Sequence, residues 1–415
     1  MKKRKYLVLI TCDYPIYASE FYLDDEMHII AKRFDKVYVV LEKQNSASIK
    51  REIPNNLEVN TYNSLVSTKD KLKTIVNVFS LFFIKEFVRT IIKTRLKLSI
   101  EVFKIMYMDV LKAEMLKVVL NKLISTNNLN ISNTIFYSYW HDYSALALSM
   151  LKRRNNSFVC ISRAHRWDIY YNTHKYPYLP FKSFIINNLS GTYSISLDGK
   201  LVFEKLLNTK LDDKVFVSRL GKINNRKPVF YKNSPGIIFC SCSTLTPLKR
   251  VHLIIDMLSN LNIANIKWVH FGSGYLLEEL EKYAREKISN IDFCFKGIVP
   301  NSEILDYYHQ NYVDLFINFS ESEGIPVSIM EALSAGVPVI ATNVGGTREI
   351  VNEYIGFLID ADFKIDEITG IIENYLRSPG ENQLLFRRQA YKFWQENYNA
   401  EKNYNEFVES VLKRQ

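Results

Sequence analysis

Two glutamates eight positions apart, Glu323 and Glu331, stand in the run Ser320-Glu321-Ser322-Glu323-Gly324-Ile325-Pro326-Val327-Ser328-Ile329-Met330-Glu331. A strand ending at Asn318 runs into a loop here, and Pro326 fits the start of a helix, where its missing N–H would have had no partner. Free backbone amides over Gly324 to Ser328 then make an anion site of the kind a diphosphate occupies. Glu323 lies just before that helix and Glu331 more than one turn inside it. Carboxylates at two heights can hold hydroxyls on two parts of one ligand. The spacing of two glutamates says little by itself, and the elements around them carry the weight.

Other reactive residue types are poorly placed for chemistry. Cys240 and Cys242 share one face of a strand with no second pair to complete a zinc site. With Cys12, Cys160 and Cys294 they make five cysteines in or beside strand-like runs, which favours a reducing compartment over a disulfide framework. His28, His141, His174, His252, His270 and His309 form no ligand-spaced pair and read as structural. Asp360-Ala361-Asp362 spells a metal motif but reads as a loop and helix cap ahead of a C-terminal helix. No Walker loop, no G-x-G-x-x-G after the first strand and no Ser-His-Asp context is present.

The chain of 415 residues exceeds what one hydrophobic core of ~250 to 300 residues serves, so two domains are expected. At 47% hydrophobic and 24% charged residues, it belongs to neither the disordered nor the fibrous classes. Strand-length apolar runs alternate with amphipathic helical patterns throughout, the mark of parallel α/β architecture. Expected strands are 6–11, 37–41, 134–137, 158–162, 215–218, 236–242, 267–271, 291–295, 315–318 and 337–341; expected helices include 23–34, 141–153, 253–261 and 276–287. The aperiodic stretch 221–235 reads as the linker between domains at 1–220 and 236–395, with a helix over 396–415. Two Rossmann-like domains facing across a cleft would follow, with ligands beyond the carboxyl ends of the strands.

Within this frame the second half resembles the retaining GT-B glycosyltransferases of family 4. The run 320–342 is similar to that family's C-terminal signature. Ile237 to Arg250 looks like its strand and Lys-bearing loop, His270-Phe271-Gly272-Ser273-Gly274 like its next strand and Gly turn, and Lys296-Gly297-Ile298-Val299-Pro300 like its nucleobase-contacting segment. Gly345 to Val351 resembles the turn after the following strand. In the first half, Arg163-Ala164-His165-Arg166-Trp167-Asp168 corresponds to the active-site His segment and Glu20-Phe21 to the acceptor-side loop.

The resemblance implies a metal-independent transferase without a cofactor, taking a nucleotide diphosphate sugar as donor. It implies that Lys249 and the free backbone N–H groups of the segment Gly324-Ile325-Pro326-Val327-Ser328, all but proline, stabilise the departing diphosphate. Glu331 would meet the ribose, Glu323 the donor sugar, and His165 the sugar from the other domain. Gly272, Gly297 and Val299 fall on the donor side; Glu20, Phe21, Arg163, Arg166 and Asp168 fall on the acceptor side. The family places an Arg five residues before its Lys, where this chain has Thr244; Arg250 would replace that cation only if its side chain turned into the site. An inactive sugar-nucleotide-binding scaffold, an epimerase and a phosphorylase are the competing readings.

Charge is unevenly spread. Residues 1–250 carry 40 Lys+Arg against 20 Asp+Glu, whereas 251–415 carry 14 against 24. The segment 69–122 holds 12 cations against five acids, with Leu72, Ile75, Val76, Phe79, Phe83, Phe87 and Ile91 at helical steps. Such a helix can lie on an anionic membrane surface or pack as an ordinary helix on the first sheet. Nucleic acid is a poor explanation, because the cations interleave with aliphatic core periodicity instead of exposed aromatics. No run approaches the ~18 to 20 apolar residues of a membrane span. A glycan or lipid-linked glycan acceptor in bacterial surface polysaccharide synthesis, met at the cytoplasmic membrane face, is the expected partner.

Overall fold

In the computed structural model the described residues are 5–414 without 18, 46–47, 50, 64–79, 95–99, 171–173, 175–177 and 233–235. The chain divides into two compact units, Met1–Arg219 with Tyr404–Gln415, and Leu220–Asn403.

The first unit is built on β1 (Tyr6–Thr11), β2 (Lys36–Glu42), β3 (Leu57–Tyr62), β4 (Thr134–Ser138), β5 (Val159–Ala164), β6 (Gly191–Ser194) and β7 (Val215–Val217). These form one sheet in the order β3-β2-β1-β4-β5-β6-β7, parallel at every pairing. Parallel strands are covered by helices on both faces, which is why β1, β2, β4 and β5 are nearly continuous apolar runs. The covering helices are α1 (Tyr22–Ile30), α2 (Leu81–Thr94), α3 (Ile100–Thr126), α4 (Tyr143–Arg154), α5 (Arg166–Ile169), α6 (Lys182–Asn188) and α7 (Leu197–Leu207). Along α3, Val102, Met106, Val110, Ala113, Leu116 and Leu120 recur at three- and four-residue steps and enter the core.

The second unit carries β8 (Ile237–Cys242), β9 (Ile266–Phe271), β10 (Asp292–Phe295), β11 (Leu315–Asn318), β12 (Val339–Thr342) and β13 (Gly356–Ile359), parallel in the order β10-β9-β8-β11-β12-β13. Its helices are α8 (Val251–Asn260), α9 (Leu277–Lys287), α10 (Asn301–Gln310), α11 (Val327–Ser334), α12 (Ile365–Arg377) and α13 (Gly380–Asn397). The last helix, α14 (Ala400–Leu412), starts in this unit; from Tyr404 it belongs to the first, where Phe407 packs on Tyr137 and Tyr193 at 5.4 and 4.9 Å.

Strand order reverses between β1 and β4 in one sheet and between β8 and β11 in the other. Loops diverge at such switch points, leaving room for a ligand beyond the carboxyl ends. The loop after β1 carries Glu20 and Phe21; those after β8 and β11 carry Lys249 and Glu323.

Several expectations change. The stretch 221–235 is not a free linker at its start: Lys222 bridges Asn399, and the Asn224 side chain donates to the Ser334 hydroxyl at 2.9 Å. Gly221 lies so close to Ala400 that an added Cβ would sit 2.5 Å from its Cα. Strands β3, β6 and β13 were not expected. The first is a half-exposed edge strand with mixed residues, and the others are short runs that open on a glycine, which weakens a strand pattern. Asp360 to Asp362 form a loop and turn, but Lys364 caps the following helix.

The basic amphipathic segment divides. Leu72, Ile75, Val76 and Phe79 lie outside the described residues, as does the Ile91 side chain. In α2, Phe83 is buried and Phe87 half-buried in the first core, while Leu81, Ile84 and Val88 point outward beside Lys85. Among the described residues no helix is long and apolar enough to cross a membrane.

Candidate active site

In the second unit the chain leaves β8 through an exposed Thr244 and a 3-10 turn, Pro247–Lys249. Arg250 follows in the left-handed region at φ 47°, which turns the chain sharply into α8. Lys249 Nζ meets Glu323 Oε1 at 2.5 Å, and Asn318 Nδ2, at the end of β11, reaches the same oxygen at 3.5 Å. The Glu323 backbone is pressed against Gly345, where any Cβ would fall 1.9 Å from the Glu323 carbonyl oxygen at a φ of +52°. Only glycine fits there.

Pro326 is the N-cap of α11 rather than its first residue, with ψ at 115°. The amides of Val327 and Ser328 occupy the first helical positions, which have no acceptor within the helix and point outward with its positive dipole end. Gly324, Ile325 and Pro326 are buried, so only their backbone is available to a ligand. Glu331, one turn further, is held by Asn301 Nδ2 at 2.5 Å and faces Lys222 Nζ at 3.9 Å. Gly272 and Gly297 bridge the ends of β9 and β10 through an amide to carbonyl bond of 2.9 Å, with Val299 half-buried beyond.

The structure brings Lys249, Glu323, Glu331 and the α11 amides to one edge of the second sheet. It does not bring Arg250 there as a replacement cation. Its Nε donates to the Phe319 carbonyl at 2.6 Å and its Nη1 to the Ala361 carbonyl at 2.9 Å, so the guanidinium ties three loops together.

In the first unit His165 ends β5 and caps α5, ringed by Tyr139, Trp140 and Tyr22 at 4.6, 4.9 and 6.1 Å between centroids. Burial, with Arg163 adding to it, holds the imidazole well below its usual pKa, so it is neutral at neutral pH. Its Nε2 is buried without a hydrogen-bond partner among the described residues, a cost a polar atom bears when a ligand supplies the partner. The Asp168 carboxylate accepts the His165 backbone N–H at 2.9 Å. Burial and the nearby Asp142 push its pKa up to about 7.

Three acceptor-side expectations are corrected. Arg163 is 0% exposed, donating to Glu26 at 3.0 Å and to the Tyr137 hydroxyl at 2.8 Å. Burial raises the Glu26 carboxyl against the pull of that guanidinium. Glu20 is buried too: its carboxylate accepts the backbone N–H of Asp13 and Tyr14 at 2.8 and 2.6 Å and the Trp140 indole N–H at 2.5 Å, latching the loop after β1. Asp168 is buried as the partner of His165. Of the expected acceptor-side residues, Phe21 and Arg166 keep side-chain surface.

Residues the sequence reading did not single out are Lys222, Asn301 and Asn318 around the two glutamates, and Tyr22, Tyr139 and Trp140 around His165. Asn318 was marked only as a strand end and Lys222 only as linker; their roles depend on contacts across the fold, which spacing does not encode.

Each parallel α/β unit carries its candidate residues at its own switch point. Residues 222–393 match the family described as Glycosyl transferases group 1. The chain is 27% identical over 302 residues to the O-antigen biosynthesis glycosyltransferase WbnH of Escherichia coli, covering 66% of this chain and 78% of that protein. It superposes on Anabaena Alr3699/HepE, solved in complex with UDP, at a TM-score of 0.63 and 16% identity, covering 98% of this chain and 99% of that one. The sucrose-phosphate synthase of Thermosynechococcus elongatus gives a TM-score of 0.69 at 12% identity over 99% of both chains. The chain thus has the GT-B glycosyltransferase fold, with the Glycosyl transferases group 1 match confined to residues 222–393.

Proposed function

We propose that this glycosyltransferase moves a sugar from a nucleotide diphosphate sugar to a glycan or lipid-linked glycan acceptor in surface polysaccharide synthesis, with retention of configuration and without a metal. The observation that carries this reading is the Lys249 to Glu323 pair beside the open amides of α11. When a diphosphate leaves, negative charge grows on its oxygens. Lys249 Nζ and the Val327 and Ser328 amides are fixed donors for that charge, and preorganised donors are often the largest catalytic term. Glu323, released from Lys249, accepts hydroxyls of the transferred sugar; Glu331 accepts those of the ribose. In the first unit, His165, neutral and with Nε2 unpartnered among the described residues, is the candidate group for hydrogen-bonding a ligand hydroxyl. No carboxylate is singled out as a covalent nucleophile, which favours front-side attack with the departing phosphate taking the acceptor proton. The WbnH likeness and the UDP bound to HepE support the polysaccharide context and the donor class.

Peripheral attachment to the cytoplasmic face of the membrane is part of the same proposal. It is supported by the outward Leu81, Ile84 and Val88 of α2 and by a hollow of about 380 Å³ whose lining includes Lys85, Arg89 and Arg153. Loss of sedimentation with anionic vesicles on neutralising these three cations is expected; unchanged binding would return α2 to an ordinary packed helix.

Purified protein offered a panel of UDP, GDP and dTDP sugars should hydrolyse or transfer one of them at an EDTA-insensitive rate, with the donor's anomeric configuration kept in the product. An inverted product or loss of activity in EDTA would overturn the mechanistic part. A second reading, a sugar-nucleotide-binding scaffold without turnover, is favoured by Thr244 and by the engagement of Arg250 with carbonyls. Tight donor binding with no hydrolysis would select it.

A further inference from the structure

Four tryptophans occur in the chain. Trp268 and Trp394 are buried, and Trp140 is half-buried and bonded to Glu20. Trp167 is 55% exposed. An exposed indole presents a large flat apolar face with a polar N–H at its rim, which suits it to a ligand that is apolar on one side and polar at its edge. Trp167 lies two residues after His165, so their Cα atoms are at most ~7.6 Å apart.

Its indole is also braced. The His174 ring packs on it at 4.1 Å between centroids and 49° between planes, and His174 Nε2 makes a 2.7 Å hydrogen bond with the Trp167 carbonyl. One ring therefore holds both the backbone and the side chain of Trp167, which lowers the entropy lost when a ligand settles on the indole.

An aromatic face carries negative charge density and attracts the weakly positive C–H groups that a pyranose presents on its less polar side. We propose that Trp167 is a stacking platform for a pyranose ring of the acceptor, placed beside His165 and selecting acceptors by the face of that sugar. The proposal rests on the glycosyltransferase reading above and adds the residue that recognises the acceptor. It also fits the burial along the acceptor-side motif: Arg163 and Asp168 are buried, and Trp167 is the exposed residue of that segment.

The test is titration of the full chain with methyl glycosides of glucose, galactose and N-acetylglucosamine, followed by calorimetry, with UDP, GDP and dTDP titrated in parallel. Trp167→Ala should weaken binding of the responding glycoside tenfold or more. Trp167→Phe should stay within about threefold of the parent, and the responding nucleotide should bind within twofold in both variants. A glycoside affinity unchanged in Trp167→Ala, a joint loss of glycoside and nucleotide binding, or a parent chain that binds none of the glycosides would each overturn the platform. Failure of the parent to bind any nucleotide would instead strike the donor reading.

Discussion

The two units handle charge in opposite ways. In the second, the Lys249 and Glu323 side chains keep 26% and 10% of their surface. In the first, Arg163 and Glu26 keep none. Water already competes at a partly exposed pair, so a phosphate or hydroxyl can exchange into it at small cost. A fully buried pair is locked, because removing either partner strands the other in a medium that does not solvate it. Motif residues of the same types can therefore be ligand-exchanging in one unit and structural in the other.

The largest effect should come from breaking the buried pair. Arg163→Ala leaves Glu26 without its cation and removes the stacking on Phe407 at 4.4 Å, and should destabilise the first unit by about 3–5 kcal/mol. For a unit of this size that lowers the melting transition by roughly 10 °C. Replacing both partners, Arg163→Met with Glu26→Leu, should recover most of the loss. A single variant as stable as the parent would mean that Arg163 is not the lock described.

Lys249→Ala should do the reverse. Catalysis should fall about 10²–10³-fold, the effect of removing one preorganised donor, while stability changes by about 1 kcal/mol or less, since Asn318 still reaches Glu323. Full transfer activity in this variant would remove the basis for the donor site. A large loss of stability would place Lys249 with Arg163 and erase the contrast between the units.

That contrast marks the limit of what the sequence discloses. The fold was legible because long apolar strands and amphipathic helices alternate; β1 and β11 have the expected bounds. That Lys249 and Glu323 meet at one edge of the second sheet was legible because both follow the carboxyl ends of neighbouring strands, β8 and β11. The acceptor side was not. Arg163 lies in β5 two residues before His165, a spacing that puts both on one face, and nothing in it says that one meets the interior of the unit and the other an aromatic pocket. That is settled by α1 supplying Glu26 and α14 supplying Phe407, 137 and 244 positions away in sequence. Arg250 was ambiguous for a related reason: its left-handed backbone, a property of the turn and not of the residue, aims the guanidinium at carbonyls.

The smallest effect tests whether burial in the first unit also governs protons. Asp168 is held at about 7, against 3.8 for an exposed aspartate. Between these values the folded chain keeps a proton that the unfolded chain has lost, so the stabilising contribution of this group is full below pH ~4 and lost as pH rises through 7. One proton accounts for at most ~1.4 kcal/mol per pH unit, or about 2–4 °C in melting temperature. Asp168→Asn keeps an oxygen for the His165 N–H and removes the titration. The parent should therefore lose stability faster than the variant between pH 5 and 7.5, and the difference should vanish below pH 4. Lys182, buried nearby, pulls the other way and so narrows the pH window over which folded and unfolded chains differ by this proton. Parallel melting curves across the range would mean that Asp168 is charged throughout, as an exposed carboxylate is, and the first unit would then differ from the second in the partners of its charges but not in their solvation.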